Sequence, residues 1–225
     1  MNILIFGATG MVGQGVLREC LNADDVSTVT VVGRSHTSVQ HAKLTEIIHG
    51  DLYDYHAIES QLKGFDGCFF CLGVSSLGMK EPAYHHISYD LTLAAATVLQ
   101  RLNPSMTFTY ISGAGTDSSE QGRVMWARVK GATENALQRL SFKAVYLFRP
   151  GAIIPMNGEV SKTPYATTLY KLIKPLLLVL KKIYPDKILT TEIIGQAMLN
   201  AVRFGAATSI LETADIRQLA LQQDV

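Results

Sequence analysis

Residues 2–13 read Asn2-Ile3-Leu4-Ile5-Phe6-Gly7-Ala8-Thr9-Gly10-Met11-Val12-Gly13. An apolar run enters three glycines at 7, 10 and 13, and the chain continues as Gln14-Gly15-Val16-Leu17-Arg18-Glu19-Cys20-Leu21 with apolar residues at helical spacing. The pattern is strand, tight glycine turn, helix. Such a turn presents bare backbone amides and the positive end of a helix dipole to a phosphate. Three glycines alone are weak evidence. A strand directly before them and a helix directly after supply the context that makes a phosphate cradle the reading.

The rest of the chain agrees with that opening. With 225 residues and 48% hydrophobic content it can bury a sizeable core, and residues 1–225 are expected to form one domain. The net charge of +1 is spread evenly, which argues against a nucleic-acid surface. Apolar β runs alternate with amphipathic stretches, so the expected class is α/β: a doubly wound, mostly parallel sheet covered by helices. The N-terminus enters a strand without a targeting leader, and the expected location is cytoplasmic. Cys20, Cys68 and Cys71 are too few for a disulfide framework. Cys68 and Cys71 stand three apart on a strand and face opposite ways, so no metal site is expected from them.

Further strands are predicted over Ser27–Val32, Leu44–His49, Gly67–Leu72, Met106–Ile111, Ala144–Phe148 and Ser209–Glu212. Helices are predicted over Tyr55–Leu62, Tyr84–Leu102, Val124–Arg139 and Asp215–Leu221. In a doubly wound sheet ligands bind at the carboxyl ends of the strands. Gly33-Arg34-Ser35, Gly50-Asp51-Leu52, Cys71-Leu72-Gly73, Ser112-Gly113 and Arg149-Pro150-Gly151 all fall at such ends.

The spacing Gly-Ala-Thr-Gly-x-x-Gly, with its first two glycines three apart, resembles the extended and atypical branches of the short-chain dehydrogenase/reductase superfamily. The resemblance implies a nicotinamide dinucleotide held by Gly7, Thr9, Gly10, Met11, Val12 and Gly13. In an NAD site an acidic residue at the tip of strand two binds the ribose hydroxyls. Here the tip carries Arg34 and Ser35 and no acid. A guanidinium is a planar, permanently charged fork suited to a ribose 2′-phosphate, so NADP is preferred to NAD. Asp51 and Leu52 match the superfamily's adenine contact, although Asp51 would serve equally as a helix cap. Cys71, Leu72 and Gly73 match the segment beside the nicotinamide ribose. Pro150 matches the strand-six exit that frames the nicotinamide amide, and it would also fix a turn.

The superfamily's chemistry uses a Ser, a Tyr and a Lys. Ser112 matches the Ser, and Lys130 matches the Lys, which would also bind the nicotinamide ribose. The Tyr position, four residues before Lys130, holds Trp126. An indole N–H donates a hydrogen bond but cannot exchange a proton near neutral pH. Three readings stay open: the proton comes from Tyr84, Tyr89, His85 or His86; it comes from water; or the site binds NADP without turning it over.

Around Trp126, and at its ending Leu211-Glu212-Thr213-Ala214-Asp215-Ile216-Arg217, the chain looks like a group of epimerase-like atypical members. It is similar to the Tat-interacting branch, which keeps a Tyr at the Trp126 position. Residues 155–190 are expected to form a helical insertion on the substrate side. Its apolar stretch, Tyr165 to Tyr184, is interrupted by four lysines and by Pro175, and is too short and charged to span a bilayer. It would line a cleft for an apolar ligand, bury against a second copy in a homodimer, or lie on a membrane surface. Two functions follow: an NADP-dependent oxidoreductase acting on a small apolar carbonyl or alcohol, or an NADP-binding regulator silenced by Trp126.

Overall fold

A computed structural model of the chain describes residues 1–156, 158–159 and 188–223. Its centre is β1 (Asn2–Phe6), paired in parallel with β2 (Thr28–Gly33) on one side and β4 (Gly67–Phe70) on the other. With β3 (Leu44–Ile48), β5 (Thr107–Ile111), β6 (Ala144–Arg149) and β9 (Ile210–Glu212) it forms a seven-stranded sheet in the order β3-β2-β1-β4-β5-β6-β9. Every pairing in it is parallel. The strand order reverses between β1 and β4, so the crevice of a doubly wound sheet opens above the glycine loop.

Both faces of the sheet are covered, which is why β1 is apolar at consecutive positions instead of alternating. Ile3 and Ile5 point into one core with Val16 and Leu17 of α1 (Met11–Asn22). Leu4 and Phe6 point into the other with Leu91, Ala95 and Leu99 of α3 (Leu91–Leu102). Cys68 lies in the second core and Cys71 packs against the first, as alternation along a strand requires. Burial pushes the Cys71 thiol up to about 12, so it stays a neutral thiol at physiological pH.

Several expectations change. The stretch expected as one helix over Tyr84–Leu102 is α2 (Glu81–His85), a π turn (His86–Asp90) and α3 in succession. Tyr55–Leu62 is a 3₁₀ turn over His56–Gln61. The sequence reading passed over α5 (Thr191–Arg203), which packs along α1. Its signal was present: Thr190 caps it by accepting from the Ile193 N–H at 3.2 Å, and Ile194, Ala197, Met198 and Ala201 line its buried face. The close approach of α1 and α5 depends on two glycines. A Cβ on Gly15 would fall 2.5 Å from Thr191 Cβ, and one on Gly195 2.6 Å from Glu19 Cγ. That contact anchors α1 with its N-terminus beneath the crevice.

The remaining elements are α4 (Met125–Gln138), α6 (Thr213–Ala220), and a small parallel pair of β7 (Ala152–Ile154) with β8 (Ile188–Thr190). The end of the expected helical insertion 155–190 is therefore strand at Ile188–Thr190, where the backbone pairs with β7. The apolar stretch 165–184 lies outside the described residues. Among the described residues no helix is long and apolar enough to cross a membrane.

Candidate functional site

The glycine loop is built by three close contacts. Gly7 sits at φ +80°, where a side chain is strained, and a Cβ there would lie 2.7 Å from the Leu72 N of the β4 exit. Gly10 is the N-cap of α1, and its N–H donates to Gly7 O at 2.9 Å. A Cβ on Gly13 would lie 2.1 Å from Gly7 O, so the first turn of α1 rests directly on the loop backbone. No side chain caps α1 and no acid occupies its first turn. Its first amides are thus left for a ligand, and the dipole adds positive potential at the same place.

Above the loop is a cleft of about 680 Å³, large enough for a small-molecule cofactor. Gly7, Thr9, Gly10, Met11 and Val12 line its floor; Arg34 and Ser35 line one end; Leu52, Cys71, Leu72 and Gly73 line the wall. Arg34 and Ser35 are exposed at the tip of β2. A nearby carboxylate, Glu46 on β3, is engaged by His36 Nδ1 at 2.8 Å and by the Thr37 N–H at 2.7 Å. It therefore organises the loop after Arg34. The residues present fit a dinucleotide phosphate: bare amides, a helix terminus and a guanidinium with no ion-pair partner among the described residues face one space.

Two expected contacts are placed differently. Asp51 Oδ1 accepts from the Tyr53 N–H at 2.9 Å, so it closes a local turn and is not the helix cap of its alternative reading, since the 3₁₀ turn starts only at His56. Leu52 alone of that pair lines the cleft. Pro150 is buried outside the cleft lining, and its carbonyl accepts from the Ala114 N–H at 2.9 Å. It holds the β5 exit against the β6 exit.

Ser112, Lys130 and Trp126 converge at the ends of β4 and β5. Lys130 comes from α4, is 7% exposed, and its Nζ donates to Ile111 O at 3.0 Å while sitting 4.7 Å above the Tyr110 ring. A Cβ on Gly73 would lie 3.8 Å from that Nζ, so the ammonium adjoins the cleft wall. Burial lowers the Lys130 pKa, and the nearby Tyr84 and Glu134 partly offset this. Ser112 Oγ donates to Phe148 O at 3.1 Å and must turn away from it to donate to a ligand. Trp126, in the first turn of α4, lays its ring near Gly113 and Gly115, 3.9 and 3.8 Å from where their Cβ atoms would be. Both glycines hold positive φ, so the turn beneath the indole is built for residues without side chains.

Beside the site stands an ion pair that the sequence reading missed. Arg149 points away from the cleft to the Glu134 carboxylate, with Nε to Oε1 at 3.1 Å and a second contact from Nη2 to Oε2. Its Nη2 also donates to Ser118 Oγ at 2.6 Å. The Glu134 hydrogen bonds raise the Arg149 pKa. Arg149 is 9% exposed and Glu134 1%. This clamp ties α4, which carries Lys130, to the end of β6. Its signal was Glu134 standing four residues after Lys130, on the same helix face.

Of the proton-donor candidates, Tyr84 is buried, whereas His85, His86 and Tyr89 are partly or fully exposed. His85 and His86 both pair with Asp90, at 3.3 and 2.9 Å. Tyr89 stacks on His85 at 4.6 Å between ring centroids, and Tyr53 on His86 at 4.4 Å.

Sheet order, glycine loop and cleft together define a dinucleotide-binding protein of the Rossmann type. The chain belongs to the NAD(P)H-binding family, whose profile matches residues 7–151. It is 25% identical over 156 residues to Protein HTATIP2 of Rattus norvegicus, a match covering 68% of this chain and 63% of the rat protein. To the fmp52-2 protein of Aspergillus oryzae, named as mitochondrial, it is 26% identical over 223 residues, covering 96% of this chain and 95% of that protein. Among solved structures, a short-chain dehydrogenase/reductase family oxidoreductase from Burkholderia thailandensis superposes with a TM-score of 0.69 at 16% identity, covering 94% of this chain and 90% of that one. The Bordetella bronchiseptica enzyme WbmF in complex with NAD+ has the same fold, with a TM-score of 0.67 at 16% identity and coverage of 97% and 76%.

Proposed function

We propose that this protein is an NADP(H)-dependent oxidoreductase acting on a small, apolar carbonyl or alcohol. The observation that carries the reading is that the glycine loop, the Arg34 tip and the wall adjoining Lys130 border one cleft. A reduced nicotinamide, when bound, supplies the two-electron reducing equivalent. The amides of Met11 and Val12 hold the pyrophosphate. Arg34 and Ser35 hold the 2′-phosphate, and Lys130 the nicotinamide ribose. Ser112 rotates off Phe148 O to orient the substrate oxygen. The apolar substrate is argued from the composition of 165–184.

Replacing Arg34 by alanine tests the cofactor preference. A charged hydrogen bond of this kind is worth about 1.5–3 kcal/mol, so NADPH affinity is expected to fall roughly 10- to 100-fold while NADH affinity stays nearly unchanged. The chain has one tryptophan, and its quenching by added cofactor reads both titrations. Equal affinity of the wild type for NADH and NADPH would overturn the preference.

A second reading, a binding protein without turnover, is favoured by the indole of Trp126 lying over the Gly113–Gly115 turn where the superfamily places its phenol. A screen of small ketones with NADPH separates the two. Tight NADPH binding with no ketone reduced would select the second.

A further inference from the structure

We propose that the Tyr84 hydroxyl is the proton donor to the substrate oxygen, replacing from α2 the phenol that position 126 lacks. The assignment rests on the oxidoreductase reading above.

Tyr84 is 2% exposed and lies within electrostatic reach of the Lys130 ammonium. Lys130 in turn adjoins Gly73 in the cleft wall. Among the described residues the Tyr84 hydroxyl makes no hydrogen bond, and it is not sealed from solvent as the hydroxyls of Tyr55, Ser88 and Tyr110 are. A buried ring with an unbonded hydroxyl, on a helix packed against the one that carries the Lys130 ammonium, is poised to give a proton to a third group. Among the described residues the other phenols lack this combination. Tyr110 lies under Lys130 with its hydroxyl enclosed; Tyr53 and Tyr89 stack on surface histidines; Tyr146 accepts from the Ala206 N–H at 2.9 Å.

The backbone supports the same placement. Tyr84, Ser88 and Thr92 are all buried, at 2%, 4% and 1% exposure, and they stand four apart. At 3.6 residues per turn such a row drifts by about 40° per step and would leave the inward face. The π turn at His86–Asp90 carries more residues per turn and absorbs the drift, keeping Tyr84 on the buried side of α2, which packs against α4. The salt bridge from Arg128 Nη2 to Glu81 Oε2 at 2.6 Å holds α2 against α4 at that point.

A bound reduced nicotinamide would supply the hydride to the carbonyl carbon and leave as its oxidised form, the carbonyl π bond opening as the C–H bond forms. The oxygen takes the proton of Tyr84 Oη, so one phenol O–H bond breaks and one alcohol O–H bond forms. Lys130 stabilises the phenolate, which recovers a proton from water.

The test compares wild type with Tyr84→Phe, both labelled with ¹³C at the tyrosine ring carbon that bears oxygen. The signal missing from the variant is that of Tyr84. It is expected to move when NADPH is added, and in Lys130→Met. With acetophenone and cyclohexanone as probes, Tyr84→Phe is expected to lose about 100-fold or more in kcat, while NADPH affinity, read by Trp126 quenching, changes by no more than about twofold. A merely structural role would instead lower stability and cofactor affinity. If NADPH binds without moving the Tyr84 signal, or the variant reduces ketone as fast as wild type, the assignment is overturned and the oxidoreductase reading stands. If wild type binds no NADPH or reduces neither ketone, that reading falls and the assignment falls with it.

Discussion

A Glu134→Gln variant is expected to melt roughly 6–20 °C below the wild type, from a loss of about 3–5 kcal/mol. Glutamine keeps the shape of the side chain and removes its charge. Arg149, 9% exposed and hydrogen-bonded through Nε and Nη2 to that carboxylate, would keep a permanent charge with Ser118 Oγ and the half-exposed Glu212 as its remaining partners. Glu212 Oε1 stands 3.4 Å from Nη1 and is too solvated to replace Glu134. The cost therefore comes from stranding a cation in the interior, not from losing an attraction. The double variant Glu134→Leu with Arg149→Leu removes both charges and is expected to recover much of the loss. Thermal unfolding of the two proteins checks this. A Glu134→Gln melting point within about 2 °C of wild type would show that the pair is solvated, against its burial.

Gly13→Ala is expected to abolish measurable NADPH binding and to lower the melting point by about 2–12 °C. The new Cβ would lie 2.1 Å from Gly7 O and 2.7 Å from Gly7 C, both backbone atoms that no rotamer change can move aside. Relief requires α1 to lift from the loop, and α1 is held on its other side by Gly15 against Thr191 and Gly195 against Glu19. Lifting it withdraws the amides that face the cleft. Gly50→Ala is the control, since a Cβ there meets nothing within 4 Å. Retained NADPH quenching of Trp126 in Gly13→Ala would mean that the phosphates bind elsewhere.

The parts of the site legible in the sequence share a physical origin. Gly7 and Gly13 signal themselves because a Cβ at either would lie under 3 Å from backbone, and the missing acid beside Arg34 can be read directly from the strand-two tip. The same holds for β1, whose unbroken apolar run announces burial on both faces. Arg149 was not legible: a charged residue at a strand exit looks the same whether it faces a ligand or a buried glutamate, and Glu134 lies fifteen residues away in sequence. The break in the helix at His86–Asp90 was hidden for a related reason. Apolar periodicity continues through a π turn with only a small change of phase, and a reading by spacing joins its two sides.

The amino-acid sequence by itself determined the strand–glycine turn–helix opening, the doubly wound class and the position of the indole at 126. These are set by local rules: which backbone angles a residue permits, and which face a period of two or 3.6 presents. Only the tertiary structure decided where the charges and phenols point. Arg149 turned to Glu134 and Ser118, and the Tyr146 hydroxyl to the Ala206 N–H, because a buried polar group goes to the partner that packing brings within reach. Those partners come from elements far apart in the chain, and no local pattern records them.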